Sequence, residues 1–96
     1  MLSLRWAGVT PEQYDAVRVA VRWEEQTPEG AFLHVAWFEA GALHVIDVWN
    51  TQGDFEQFFA ERLAPAVKEA GIGGEPESQF SPLHRRFVAP GVSGAA

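Results

Sequence analysis

Between Ala31 and Trp49 the chain carries two runs rich in Val, Ile, Phe and Trp, separated by Glu39, Ala40, Gly41 and Ala42. That is the pattern of a β-hairpin. If Ala40 and Gly41 form a two-residue turn, the register opposes Phe38 to Leu43, Ala36 to Val45, His34 to Asp47 and Phe32 to Trp49, and these eight side chains share one face. The other face holds Leu33, Val35, Trp37, His44, Ile46 and Val48. A sheet with one wet side alternates apolar and polar residues, and this hairpin does not. Each of its faces therefore needs a cover.

The flanking segments supply a limited cover. Leu2, Leu4 and Trp6 alternate with Ser3 and Arg5, predicting a first strand that ends at Gly8. Thr10, Pro11 and Gln13 form a helix-start signature, and Tyr14, Val17 and Val21 then recur at helical steps. Glu24 to Gly30 reads as a polar loop. Thr51 and Asp54 open a second helix carrying Phe55, Phe58, Phe59, Leu63, Ala66 and Val67, with a kink expected near Ala64 because Pro65 cannot donate a backbone bond. Glu77 to Val88 is a last extended segment, and Pro82 consigns it to a sheet edge or a bulge. The order is βαββαβ, an α+β domain over residues 1–88 followed by a flexible, Gly-rich tail over 89–96.

Right-handed crossovers put both helices on one face of the four-stranded antiparallel sheet, expected here to be the face of His44. The other face then needs a partner, and a second copy of the same sheet supplies one: a homodimer through sheet faces is expected. The competing possibility, a monomer roofed by the 24–30 loop and the tail, relies on segments too polar and Gly-rich to cover an apolar face.

Composition narrows the function classes. A net charge of −6 with only seven basic residues leaves no basic stripe, so nucleic acid is not an expected partner. There is no cysteine, hence no disulfide framework and no thiolate zinc site. No apolar run approaches the roughly 20 residues that span a bilayer, and no signal peptide is read at the start, so a cytoplasmic protein without membrane contact is expected. The three histidines fall on different faces or strands, which argues against a metal centre, and no glycine-rich loop joins a strand to a helix for a nucleotide. No cofactor is expected.

The strings HVAW in the second strand, VIDVWNTQGDFEQFF across the third strand and second helix, and RLAPAVKEAG after it resemble small bacterial proteins of the dimeric α+β barrel superfamily. That superfamily includes the antibiotic biosynthesis monooxygenases and the stress-responsive barrel proteins. The resemblance implies a ferredoxin-like fold, sheets packed face to face in a dimer, and a pocket between each sheet and its helices or barrel wall. It also implies a choice among cofactor-free oxygenases, cyclases, isomerases, haem-handling enzymes and members without known activity. By resemblance alone His34 is a candidate haem ligand.

His34 and Asp47 are the residues best suited to chemistry, because the register sets their β-carbons about 5 Å apart. A carboxylate beside an imidazole orients the ring and fixes its tautomer, as a general base requires. Phe32, Phe38, Val45 and Trp49 share their face and are the candidate substrate contacts. The expected function is a homodimeric barrel acting on a hydrophobic aromatic or polyketide-like small molecule as a cofactor-independent monooxygenase, cyclase or isomerase. The alternative is a non-catalytic binding or structural barrel, in which His34 only satisfies a buried Asp47. His84, Arg85 and Arg86 lie in the last extended segment, where at most one arginine is expected to enter a pocket.

Overall fold

The computed structural model describes residues 1–94. The elements run β1 (Leu2–Ala7), α1 (Pro11–Val21), β2 (Ala31–Glu39), β3 (Ala42–Trp49), α2 (Gln52–Phe58), a π-helical turn (Phe59–Leu63), α3 (Ala64–Glu69) and β4 (Glu77–Phe80). The four strands form one sheet in the order β2-β3-β1-β4, with every neighbouring pair antiparallel. This is the ferredoxin-like βαββαβ arrangement, with its helical segments on one face.

The local signals act as the residues dictate. Thr10 accepts from the Gln13 amide while the Gln13 side chain accepts from the Thr10 amide, a complete capping box that starts α1. Thr51 accepts from the Asp54 amide and starts α2. At the far end of α1, Arg22 adopts a left-handed conformation. There the Arg62 guanidinium donates to the carbonyls of Val21 and Gln26, so the second helical segment satisfies the end of the first. Pro65 has no amide hydrogen, and its ring would strike the carbonyl four residues back in a regular helix. The chain answers by widening the preceding turn: the Ala64 amide donates to Phe59, five residues back. The expected kink is this π turn. Ala40 and Gly41, both at positive φ, make the two-residue hairpin turn.

Three expectations are corrected. The helices cover the face of His34 and Asp47, not that of His44. Leu2, Leu4 and Trp6 of β1 stand directly opposite Asp47, Val45 and Leu43, so the apolar surface continues across three strands only on that side. On the other side β1 contributes Ser3 and Arg5. Val17, Val21, Phe58 and Ala66 from the helices pack with Leu2 and Trp49, while Trp6, Val9, Leu43 and Val45 form a second cluster. The second correction concerns Phe32, which does not pair with Trp49. An irregularity between Ala31 and Leu33 sets Ala31 opposite Trp49, and Phe32 falls at the bulge with about half its surface exposed (54%). The third is that β4 stops at Phe80, two residues before Pro82; the Ser81 backbone still exchanges hydrogen bonds with Met1, and residues 82–94 continue outside any strand. β4 does occupy an edge of the sheet, and it ends before Pro82. The final two positions of the expected flexible tail lie outside the described residues.

The face away from the helices keeps Leu33, Val35 and Trp37 exposed at 41%, 46% and 39%. His44 lies there, its ring stacked on Trp37 at 5.2 Å between centroids.

Candidate functional site

Asp47 is the one buried charged residue among the described ones, with 4% of its surface exposed. A carboxylate withdrawn from water requires hydrogen-bond donors on both oxygens. Trp49, two residues along the same strand and so on the same face, donates its indole N–H to Oδ2 at 3.1 Å. His34, directly across the hairpin, brings Nδ1 to 2.7 Å from Oδ1. The far nitrogen of the same ring, Nε2, lies 2.6 Å from the hydroxyl of Tyr14 on α1. The two rings are nearly parallel, 6° apart. A single chain of hydrogen bonds thus runs Trp49, Asp47, His34, Tyr14 from β3 through β2 to the first helix.

Aromatic rings pack around this chain. Trp23, just past α1, covers His34 at 5.1 Å and meets Trp49 and Phe58 edge-on at 5.9 and 5.6 Å. Phe38 meets Tyr14 edge-on at 6.2 Å. Burial pushes the Tyr14 phenol above its ordinary value; Arg18 opposes the rise, and the charges of Asp47 and Asp15 add to it. The phenol therefore stays protonated through neutral pH. Arg18 holds Glu24 at 2.7 Å, and this bond pushes the guanidinium still higher.

Tyr14, His34 and Asp47 line a cavity of about 490 Å³ between the sheet and the helices, above the ~300 Å³ at which ligand pockets begin. Its walls are mostly apolar, with Leu4, Trp6, Val45, Phe55, Phe58 and Val67 among them, and Arg18, Glu24 and Thr27 add polar groups. Of the expected substrate contacts, Phe32 and Val45 line the cavity, whereas Phe38 and Trp49 do not. Phe38 braces Tyr14, and Trp49 serves Asp47. Trp6 and Trp23, which were not among the expected contacts, both line it.

Tyr14 is the participant the sequence reading missed, counted there only as part of an apolar helical stripe. Its phenolic tip was the available signal: a Tyr O–H that is buried under a sheet usually finds a partner. A second, more open hollow is bounded by Phe32, Asn50, Thr51, His84, Arg85 and Arg86. Both arginines reach it because residues 84–86 do not form a strand, which corrects the expectation of one. The Arg86 guanidinium sits 4.7 Å above the Phe32 ring, the wall shared by the two hollows.

A haem fits poorly. Both nitrogens of His34 are engaged within the chain, so the ring offers no free ligand to iron, and no step is derived through that group. Among the described residues no three His, Asp or Glu side chains converge as a metal site would require, and no helix is long and apolar enough to cross a membrane.

Similarity to known proteins lies in the structure. No protein-family model and no curated protein sequence matches the chain. A conserved protein from Methanosarcina mazei Go1 superposes with a TM-score of 0.58 at 15% identity, over 81% of this chain and 86% of that one. A Deinococcus radiodurans protein described as a "putative antibiotic biosynthesis monooxygenase" superposes with a TM-score of 0.57 at 12% identity, over 92% of this chain and 98% of its own. The chain shares its backbone fold with these two proteins. At these identities the likeness concerns the path of the backbone. The tyrosine, histidine and aspartate of the site belong to this chain's own side chains.

Replacing Trp49 by Phe keeps a ring among Trp23, Phe55 and Phe58 but removes one of the two donors to Asp47. Urea unfolding should report a loss of about 1 to 3 kcal/mol, the range for stripping a partner from a buried polar group. A loss below ~0.5 kcal/mol would mean that Oδ2 is satisfied some other way.

Proposed function

We propose that the chain is a small homodimeric barrel protein whose cavity takes a hydrophobic, aromatic or polyketide-like molecule and acts on it without a cofactor, by proton abstraction. The observation that carries this reading is a polar chain, ending in His34 and Tyr14, at the wall of a largely apolar cavity of about 490 Å³. His34 takes the proton and Asp47 orients its ring and stabilises the charge it acquires, while Phe32 and Val45 contact the ligand. An aromatic carbon acid that loses its proton becomes electron-rich enough to react with dioxygen directly, to cyclise or to isomerise. The fold shared with the Deinococcus protein supports the oxygenase branch by analogy.

Anthrone is a suitable probe, a tricyclic ketone with an acidic benzylic C–H. It consumes one dioxygen to give anthraquinone and one water. The protein is expected to accelerate this conversion, read by absorbance and oxygen uptake, and His34→Ala is expected to lower the rate by about 10² or more with the fold intact. Equal rates for wild type and variant would remove His34 from the chemistry.

A second reading, a binding protein that does no chemistry, is favoured by one fact: each nitrogen of His34 and each oxygen of Asp47 already has a partner inside the chain. Binding of anthrone without turnover would select it.

The homodimer is supported by the exposure of Leu33, Val35 and Trp37 on the face opposite the helices. Sedimentation velocity at micromolar concentration is expected to give twice the chain mass, and Trp37→Glu half that value. A wild-type chain that sediments as a single copy would exclude the assembly.

A further inference from the structure

We infer that Tyr14 is the group that meets the ligand, and meets it as a hydrogen-bond acceptor, so that the cavity selects aromatic molecules with a free hydroxyl over ethers and hydrocarbons of the same skeleton. This deepens the reading of the cavity as an aromatic small-molecule site and rests on it.

The direction of the hydrogen-bond chain carries the inference. An indole N–H can only donate and a carboxylate can only accept. With Oδ2 of Asp47 taking the Trp49 N–H at 3.1 Å, Oδ1 at 2.7 Å from His34 must take a proton carried on Nδ1. A neutral imidazole protonated at Nδ1 has a bare lone pair at Nε2. While the ring is neutral, the hydroxyl of Tyr14, 2.6 Å away, points its hydrogen at His34. His34 is its only hydrogen-bond partner among the described residues. What Tyr14 has left for a molecule in the cavity it lines is oxygen lone pairs.

With Nδ1 turned to Asp47 and Nε2 to Tyr14, His34 meets a ligand's proton only through the Tyr14 hydroxyl. A ligand O–H donating to Tyr14 extends the series by one member. If that hydroxyl ionises, its proton passes to the Tyr14 oxygen as the tyrosine's own proton moves to Nε2. The products are an anionic phenolate or enolate, a neutral tyrosine and an imidazolium against Asp47, with charge and protons conserved. An ether oxygen or a bare ring edge has no proton to offer and meets the same lone pairs without compensation.

The test uses the whole chain and three probes, 1-naphthol, 1-methoxynaphthalene and naphthalene, each titrated by quenching of tryptophan emission, for which Trp23 in the cavity wall is placed to report. Naphthol is expected to bind about tenfold more tightly than either relative. Tyr14→Phe, folded by circular dichroism, should bring the three within about twofold by weakening naphthol alone. A wild type without hydroxyl preference, or a preference that survives Tyr14→Phe, overturns the inference. Equal binding of all three sinks it while leaving the aromatic cavity standing; binding of none removes both. Should Tyr14→Phe not fold, the order of the three probes on the wild type decides, since naphthalene is the smallest and a purely steric site would not place it behind naphthol.

Discussion

A carboxylate shut inside the core is the constraint around which this molecule is arranged. Asp47 lies on the central strand pair with 4% of its surface exposed, where an ionised group without donors would be several kcal/mol unfavourable. Its two oxygens take the Trp49 indole and the His34 imidazole, and through His34 the same demand reaches Tyr14 on the first helix. Strand, hairpin partner and helix are thereby joined by polar contacts in a layer otherwise held by non-directional apolar packing. Trp49 belongs to both systems, since its ring packs in the core while its N–H serves Asp47. The cavity forms beside this polar seam, where the helices meet the sheet but do not fill the space above Val45 and Leu4.

Which face the helices choose follows from the short first strand rather than from the hairpin. Both hairpin faces are greasy, so the hairpin alone does not decide. The strand order sets β1 beside β3, and Leu2, Leu4 and Trp6 extend one apolar face while Ser3 and Arg5 interrupt the other. The helices take the wider surface. Leu33, Val35 and Trp37 are left on a narrower apolar strip, and beyond β3 the exposed Arg5–Glu77 pair interrupts that face.

Much of this was legible in the residues. The capping signatures at Thr10 and Thr51, the hairpin turn at Ala40 and Gly41, the edge strand before Pro82 and the pairing of His34 with Asp47 each follow from a local rule, and the structure obeys each. The face of the helices follows only when the alternation of Leu2, Leu4 and Trp6 is carried across to β3, a long-range pairing that hairpin patterning alone does not give. The bulge at Phe32 carried no such sign: no glycine or proline marks Ala31 to Leu33, and the irregularity arises where β2 leaves a loop whose Gly30 carbonyl is bonded to Asn50. Tyr14 was hidden for a different reason. Its contact with His34 bridges elements twenty residues apart, and helical periodicity reports which side of a helix is buried, not what a polar tip will touch.

The chemistry of the cavity wall depends on the direction in which protons are held along the Asp47, His34 and Tyr14 series. The most direct measurement is a long-range proton–nitrogen correlation spectrum of the His34 ring at neutral pH, assigned with a His34→Gln variant. The account predicts a neutral ring with its hydrogen on Nδ1 and a bare Nε2. A hydrogen resident on Nε2, alone or together with one on Nδ1, would turn the Tyr14 hydroxyl toward the cavity as a donor and contradict it.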